Sequence, residues 1–483
     1  MILKMVDSCP CQVDTVIRFV KENTAPQFSC PTLQAAYEAA YAGDDTTLAA
    51  GSLKTYRLRL KENHFVNLLV MGFDCSRPSA FDDFRKALNK IGAELNALKA
   101  KKVFFDSVTK LVFADKEEIV RQVGMTLPLS EYAFDKYMIK KAEITPKEVY
   151  LLGDAALEAA LQEGASIAEG IHIARDLVNE PAEDLTPAEL AKRAEELGKQ
   201  YGFETEIFDD KACEAMGMGA FLAVGRASVN KPKLIVMRYH GNGNAVAKGI
   251  IGKGLCYDSG GLYLKNGAGM SSMKGDMAGS AAVIGAMCAI AANKLKENVV
   301  TVVAACENMV DGAGYRNGDI VHTMAGKSVF VASTDAEGRL TMADAITYII
   351  RKENIDSIIE LSTLTGSCAN FFGKVCAGAL STDDAMFEKV ASKSRVTGEK
   401  YGRMPAYDEY REYIKSDIAD LYNSSAEGAG GICAGLFLDE FKEDKPFLHL
   451  DVAGMTFAKS KSEGQPAGGT GFGVKTVYQY IKG

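Results

Sequence analysis

The chain has 483 residues, of which 47% are hydrophobic and 24% are charged, a composition typical of soluble globular proteins. At roughly 100–200 residues per domain, such a length predicts at least two domains. The formal net charge of -8 argues against nonspecific nucleic-acid binding, because neutralising phosphates requires clustered Lys and Arg. The eleven cysteines include no CxxC pair, so we interpret them as reduced thiols of a cytoplasmic protein.

The N-terminal residues MILKMVDSCPCQVD lack a basic segment followed by an apolar stretch. We therefore expect no signal peptide. No apolar run in the sequence approaches the roughly 18 residues that would span a bilayer. These two observations predict a protein without a membrane partner.

Residues 1–145 are predicted to form a small α/β domain. The segments 65–73 (FVNLLVMGF) and 102–105 have the composition of strands. Between them, apolar residues recur at helical spacing, which predicts an amphipathic helix containing Phe84, Leu88, Ile91, Leu95 and Leu98. No pattern in this third of the chain indicates chemistry. We expect residues 146–172 to form a helical connector to the next domain.

Residues 173–483 are predicted to form a larger α/β catalytic domain. Thr186 is a good N-cap, Pro187 suits the first helical position, and Glu189 completes a capping box. Strand-like and helical runs then alternate, which predicts a mostly parallel central sheet flanked by helices. Ligands of such sheets bind at the carboxyl ends of the strands, where polar residues of this chain cluster. The strand-like runs are 233–240, 249–258, 298–307, 356–365 and 447–454.

Three segments carry the residues that indicate chemistry. They are GKGLCYDSGGLYLK (252–265), MSSMKGDMAGSAA (270–282) and STDAEGRL (333–340). Two divalent cations about 3.5–4 Å apart are held by bridging carboxylates. Asp335 and Glu337 are two residues apart, so an extended segment points both to one face. Near the ends of apolar strands the segments place Lys253, Asp258, Lys265, Asp276, Asp335, Glu337 and Arg339.

Other hydrolytic sites have weaker support. The chain has five histidines and no HExxH motif, which excludes a thermolysin-like zinc site. Ser259 lies in DSGG rather than GxSxG, so a serine nucleophile is weakly supported. A dinuclear phosphoesterase remains an alternative, although such sites usually mix His with carboxylates. Taken singly, Asp258 can be a turn former and Asp276 a helix N-cap.

The three segments are similar to motifs of one known family. STDAEGRL resembles NTDAEGRL, the signature of the leucyl aminopeptidase family, and the other two segments resemble that family's GKG and MKxDM motifs. The segments ARDLVNEP, LSTLTGS, SDIADLYN and HLDVAG also resemble family segments and occur in the family order, so the resemblance covers about Ala174 to the C-terminus. The resemblance implies a small N-terminal α/β (macro-like) domain and a larger C-terminal catalytic domain, although the N-terminal third matches only in size and α/β character.

The resemblance implies a metal-dependent aminopeptidase that releases N-terminal leucine and other apolar residues from peptides. A hydroxide bridging two divalent ions would attack the first peptide bond. One ion would be bound by Lys253, Asp258, Asp276 and Glu337, and the other by Asp258, Asp335 and Glu337. Oxygen and lysine ligands suit Mn²⁺ or Zn²⁺, with Mg²⁺ and Co²⁺ as alternatives.

The resemblance also assigns roles beyond the metal ligands. Lys265 would stabilise the tetrahedral oxygen, and Arg339 would hold a bicarbonate ion that acts as general base. The pocket for the N-terminal side chain would be lined by Met273, Thr363, Gly366 and Ala453. The family further implies a homohexamer that acts on peptides.

The chain departs from the family pattern at positions that are not ligands. Ser333 replaces Asn, and Cys256 replaces Thr two residues before Asp258. We interpret Cys256 as a small buried residue, and the alternative is a thiol near the metals that makes the enzyme sensitive to oxidation. Some relatives also bind DNA, and a DNA-binding or architectural role is the alternative function that the net charge opposes. The intact ligand set argues against a catalytically inactive paralogue.

Overall fold

The computed structural model describes every residue except Cys11, 42–46, 62–63 and 462–464. The chain divides into two compact units, and both contain helices packed on β-sheets. The predicted two-domain α/β fold is therefore confirmed. No helix in the described part of the chain is both long and apolar enough to cross a membrane. The first unit comprises Met1–Glu169 with Lys461–Pro466, and the second comprises Gly170–Ser460 with Ala467–Gly483.

The first unit contains a six-stranded sheet. Its elements are β1 (Ile2–Val6), β2 (Thr15–Lys21), α1 (Pro31–Tyr41), β3 (Leu53–Lys61), β4 (His64–Phe73), α2 (Ala80–Ala97), β5 (Lys102–Phe105), α3 (Lys116–Thr126), β6 (Glu148–Leu152) and the start of α4 (Glu158–Asn179). The strand order is β1-β6-β5-β2-β4-β3, and only the β3–β4 pair is antiparallel. The predicted strands and helix of this unit correspond to β4, β5 and α2.

One segment of the first unit differs from the expectation of a helical connector over 146–172. Residues 148–152 form β6 before α4 begins. Val149 and Leu151 are buried while their neighbours are partly exposed, a period of two that suits a strand. Because β6 pairs with both β1 and β5, this segment belongs to the sheet.

The second unit is larger and begins within α4. Its further helices are α5 (Pro187–Tyr201), α6 (Asp210–Ala215), α7 (Gly219–Gly225), α8 (Gly267–Met270), α9 (Ala278–Ala292), α10 (Gly338–Lys352), α11 (Gly366–Phe372), α12 (Asp384–Thr397), α13 (Gly430–Asp439) and α14 (Val474–Lys482). Its strands are β7 (Glu204–Phe208), β8 (Lys233–His240), β9 (Ala247–Asp258), β10 (Asn298–Asn308), β11 (Ile320–His322), β12 (Ser328–Phe330), β13 (Ile355–Ser362), β14 (Ala377–Ser381), β15 (Tyr401–Arg403), β16 (Leu421–Tyr422), β17 (Phe447–Asp451), β18 (Phe457–Ala458) and β19 (Gly468–Gly469).

An eight-stranded sheet forms the centre of this unit, in the order β15-β14-β17-β13-β9-β10-β8-β7. The four adjacent strands β17, β13, β9 and β10 are parallel to one another. All residues of β10 and β17 are buried, as expected for strands covered on both faces. The carboxyl ends of the four parallel strands therefore meet at one edge, at Asp451, Ser362, Asp258 and Asn308.

The capping expected at the start of α5 is present in part. The Thr186 hydroxyl accepts a hydrogen bond of 3.3 Å from the backbone N–H of Glu189. The Glu189 carboxylate does not complete the capping box but pairs instead with Arg193, at 3.0 Å. The helix therefore begins at the predicted residue with one half of the predicted cap.

Helix α9 packs directly on the backbone of the central sheet. A Cβ atom added at Gly279 would lie 2.2 Å from the carbonyl oxygen of Leu361 and 3.0 Å from the backbone nitrogen of Lys253. No side chain fits between the helix and the two strands at this point. Because Asp276 precedes α9 by two residues, this close approach brings its carboxylate to the edge of the sheet.

We predict that Gly279→Ala lowers the free energy of unfolding by about 1–3 kcal/mol, because the added methyl group must displace backbone. Chemical denaturation measures the change. Gly312→Ala is the matched control, since no described atom lies within 4 Å of a Cβ at that position. In an unhindered helix the same substitution would stabilise the protein by about 1 kcal/mol, and such a gain at Gly279 would contradict the close packing.

Candidate functional site

The carboxyl ends of the parallel strands open into a cavity of about 460 Å³ within the second unit. Every site residue named from the sequence lines this cavity. The set comprises Lys253, Asp258, Lys265, Met273, Asp276, Asp335, Glu337, Arg339, Thr363, Gly366 and Ala453. The segments that were separate in sequence therefore converge on one space.

A break in the pairing of β9 with β10 directs two of these side chains to one face. Lys253 and Asp258 are five residues apart, a spacing that points side chains to opposite faces of a regular strand. The residues before and after Cys256 pair with consecutive residues of β10, so Cys256 is an extra residue without a partner on that strand. Such a β-bulge reverses the alternation beyond it. Lys253 and Asp258 therefore both face the cavity.

Three carboxylates meet at the centre of the cavity. Asp258, Asp335 and Glu337 each contribute an oxygen atom, and these atoms all lie within 4.8 Å of one another. Asp335 and Glu337 come from the loop between β12 and α10. Burial and the neighbouring Asp258 carboxylate raise the pKa of Glu337 to about 8. Among the described residues, none donates a hydrogen bond to the buried Oε2 of Glu337.

Lys253 connects this cluster to a fourth carboxylate. Its Nζ atom lies 2.7 Å from Oδ2 of Asp276 and 2.9 Å from Oε1 of Glu337. Burial lowers the pKa of Lys253, but the adjacent carboxylates outweigh it and hold the pKa above its usual value. The Thr363 hydroxyl donates a hydrogen bond of 2.7 Å to Oδ1 of Asp276. Asp276 is not the N-cap of α9, a position taken by Met277.

Lys265 pairs with the other two carboxylates. Its Nζ atom lies 2.8 Å from Oδ2 of Asp258 and 2.5 Å from Oδ1 of Asp335. The loop that carries Lys265 turns at Gly260, where φ is +85° and a Cβ atom would lie 2.9 Å from the Asp335 carboxylate. The remaining oxygen of Asp258 accepts hydrogen bonds from the Gly260 N–H at 2.9 Å and from the Asn308 amide at 2.8 Å. Asp258 thus forms a turn and also faces the cavity.

Arg339 lies buried in the first turn of α10. Its Nη1 atom donates a hydrogen bond of 2.7 Å to the carbonyl oxygen of Asn423. No acceptor in the described part of the chain binds its Nε atom. Burial lowers the pKa of the guanidinium. Arg339 is therefore a buried cation with an unused donor beside the cavity, an arrangement suited to an anion.

Sequence reasoning did not identify two polar residues that shape the site. Asn308 ends β10 and binds Asp258, and Asp451 ends β17 behind the cavity wall. Both residues could have been found from the sequence, because each is a polar residue at the end of a strand-like apolar run. Cys256 is 1% exposed, and burial raises the pKa of its thiol above the usual value, which supports the interpretation as a small buried residue.

Comparisons with known proteins identify the family to which the chain belongs. A family model described as "Cytosol aminopeptidase family, catalytic domain" matches residues 172–478. A protein of Clostridium perfringens named "Probable cytosol aminopeptidase" is 42% identical over 432 residues, covering 87% of this chain and 87% of its own length. A protein of the same name from Clostridium tetani is 42% identical over 422 residues, covering 86% of this chain and 87% of its own length.

Two solved structures are similar over nearly the whole chain. "Bottromycin maturation enzyme BotP" has a TM-score of 0.84 and 28% identity, covering 98% of this chain and 99% of its own. A second structure, "Bottromycin maturation enzyme BotP in complex with Mn", has a TM-score of 0.85 at the same identity and coverage. The matches in sequence and structure include the segments that form the cavity. The chain therefore belongs to the cytosol aminopeptidase family and is an aminopeptidase, a hydrolase of peptides.

Proposed function

We propose that the protein is a metal-dependent aminopeptidase that holds two divalent ions and releases leucine and other apolar residues from peptide N-termini. The observation that carries the proposal is the convergence of Asp258, Asp335 and Glu337 within 4.8 Å of one another. A site for a single organic cation does not need carboxylates so close together, whereas two divalent ions are bound by shared carboxylates.

The residues present fit such a pair of ions. Four carboxylates face two lysines, so the cluster keeps an excess of negative charge that divalent ions would neutralise. The buried Oε2 of Glu337, without a hydrogen-bond donor among the described residues, has the chemistry of a metal ligand. Asp258 and Glu337 would bridge the ions, with Lys253 and Asp276 on one side and Asp335 on the other. One of the similar structures is a complex with Mn, which supports Mn²⁺ as one candidate.

When bound, two such ions lower the pKa of a water molecule towards neutrality and polarise the scissile carbonyl. The chain's own residues supply the remaining functions. Lys265 lies at the mouth of the carboxylate cluster, 19% exposed, where its ammonium group can donate to the carbonyl oxygen as negative charge develops there. Arg339 has an unused Nε donor that can bind a bicarbonate ion positioned to accept a proton.

The walls of the cavity suit an apolar side chain such as that of leucine or methionine. Met273, Gly366 and Ala453 present apolar atoms or bare backbone, and Thr363 uses its hydroxyl on Asp276. The carboxylates around the ions can also receive the free α-amine of a peptide. An internal peptide nitrogen carries no positive charge, and its lone pair is not basic because it is delocalised into the carbonyl group. Cleavage would therefore be confined to the first bond.

We also propose that the protein is a homohexamer, on the support of the family resemblance, and that it is cytoplasmic, on the support of its relatives' names. Light scattering of the purified protein would give six times the 51.9 kDa mass of one chain. A monomer or dimer mass at micromolar concentration would contradict this assembly. A DNA-binding role is not favoured, because the relatives described above are named as aminopeptidases and the net charge is -8.

We predict that Glu337→Gln lowers kcat/KM by more than about 100-fold and reduces the bound metal. Mutating a residue that only hydrogen-bonds to a metal ligand lowers metal affinity or activity by about 10–100-fold. The effect should be larger at Glu337, because it would contact both ions directly. Steady-state kinetics and elemental analysis measure the two effects. Glu307→Gln is the matched control, because Glu307 is also buried near the end of a central strand but bonds to Ser228 and Asn230 outside the cavity. Equal losses of kcat/KM and bound metal in both variants would contradict the assignment of Glu337 as a metal ligand.

A second prediction concerns the substrate. After chelator treatment and addition of Mn²⁺, the protein should hydrolyse leucine-p-nitroanilide but not its N-acetylated counterpart. The acetyl group removes the basic lone pair of the α-amine and the contact with the metal-binding carboxylates. Release of p-nitroaniline measured with and without Mn²⁺ checks the expectation. Cleavage of both compounds at similar rates would contradict the exopeptidase mechanism.

A further inference from the structure

We propose that Asp451 is a positioning residue that sets the width of the apolar side-chain pocket and thereby the preference among N-terminal residues. This inference rests on the proposed aminopeptidase function. Asp451 ends β17, next to β13 in the sheet, and is 1% exposed. None of the roles assigned so far uses this carboxylate.

The Asp451 carboxylate connects two separate walls of the cavity. Its Oδ1 atom accepts hydrogen bonds of 3.2 Å from the backbone N–H of Leu364 and of 3.2 Å from the backbone N–H of Ala453. Its Oδ2 atom accepts a hydrogen bond of 2.7 Å from the Thr365 hydroxyl. Leu364, Thr365 and Ala453 all line the cavity. One side chain therefore fixes the loop after β13 and the loop after β17 relative to each other.

The connection extends into α11. The Thr365 hydroxyl that donates to Asp451 also accepts a hydrogen bond of 3.1 Å from the Cys368 N–H, which makes Thr365 the N-cap of the helix. Gly366, a proposed pocket residue, is the first residue of that helix. The position of Gly366 thus depends on Thr365, which depends on Asp451.

The metal-binding part of the site touches the loop after β13 at Thr363, whose carbonyl oxygen accepts a hydrogen bond of 3.2 Å from Nζ of Lys253. Thr363 donates its hydroxyl to Asp276, and Lys253 lies between Asp276 and Glu337. The hydrogen bonds that the Asp451 side chain accepts from described residues come from outside the proposed set of metal ligands. Because the contacts of Thr363 with Asp276 and Lys253 do not involve Asp451, loss of the Asp451 carboxylate should move the walls from Leu364 onwards and leave the metal ligands in place.

The walls that Asp451 positions are made largely of backbone. Gly366 has no side chain, Ala453 has one methyl group, and Leu364 is held through its N–H group. Because Gly366 and Ala453 add little side-chain bulk, the position of their backbone helps to set the space for the substrate side chain, next to Met273 and Leu364. One methylene group in a well-fitted pocket changes kcat/KM by about 10–200-fold, so a displaced wall should reduce discrimination between leucine and alanine.

The test compares Asp451→Ala and Asp451→Asn with the wild-type holoenzyme. The control is Asp344→Asn, because Asp344 is also a buried carboxylate, accepting backbone N–H groups of Phe221 at 2.8 Å and Met324 at 2.7 Å, but does not line the cavity. Three quantities are measured in each protein. They are the ratio of kcat/KM for leucine- and alanine-p-nitroanilide, the bound metal per chain, and hydrogen exchange of segments 363–368 and 452–454.

We expect Asp451→Ala to lower the leucine-to-alanine ratio at least about 10-fold, to accelerate exchange in both segments and to retain the metal. Asp451→Asn should give a smaller change, because its carbonyl oxygen can still accept from Leu364 and Ala453 while the bond from Thr365 is lost. If Asp451→Ala does not fold, the ratio measured for Asp451→Asn decides. Asp344→Asn should leave the ratio and the exchange of both segments unchanged.

An unchanged ratio and unchanged exchange in the folded Asp451 variants would overturn the inference. Loss of metal together with an unchanged ratio would also overturn it, because Asp451 would then act on the metal centre. If the wild-type holoenzyme cleaves neither compound, the proposed function fails. The exchange measurement still decides whether Asp451 holds the two walls, since it requires no activity.

Discussion

The mutual repulsion of four carboxylates around one cavity is the constraint on which the rest of the site depends. Asp258, Asp276, Asp335 and Glu337 are brought together by the edge of a buried sheet. Burial raises the pKa of Asp276, Asp335 and Glu337 above the usual value, because it disfavours the charged form. Lys253 and Lys265 each lie between two of them and offset part of this charge. Divalent ions would complete the neutralisation. The fold therefore keeps several carboxylates close together. This arrangement is electrostatically unfavourable when no cation is bound, and it favours the binding of cations.

Rigid backbone contacts make this concentration possible. The close approach of α9 to β9 and β13 at Gly279 places Asp276 beside Lys253. The bulge at Cys256 directs Asp258 to the face that Lys253 already occupies. Asn308, at the end of the neighbouring strand, donates to Asp258 and orients its carboxylate. The charged half of the site thus belongs to the sheet, whereas the apolar half consists of loops that Asp451 holds.

The sequence predicted the parallel centre of the large sheet because its strands are continuous apolar runs closed by polar residues. It also predicted that Asp335 and Glu337 lie close together, but the expected extended segment was wrong, because Asp335 lies in a turn and Glu337 has helical backbone angles. It could not predict the bulge at Cys256, because a bulge is defined by pairing with another strand rather than by local pattern. A similar reason applies to Asp451, because two of the donors to its carboxylate, Leu364 and Thr365, lie 87 and 86 residues away. Strand β6 was missed because five residues with two buried positions give a weak signal within a helical stretch.

The measurement that tests the central claim most directly is a crystal structure of the protein with Mn²⁺, recorded at the manganese absorption edge. We expect two anomalous peaks about 3.5–4 Å apart, both in contact with Asp258 and Glu337, with Lys253 at one and Asp335 at the other. A single peak, or peaks away from these carboxylates, would contradict a dinuclear site built on the charge cluster.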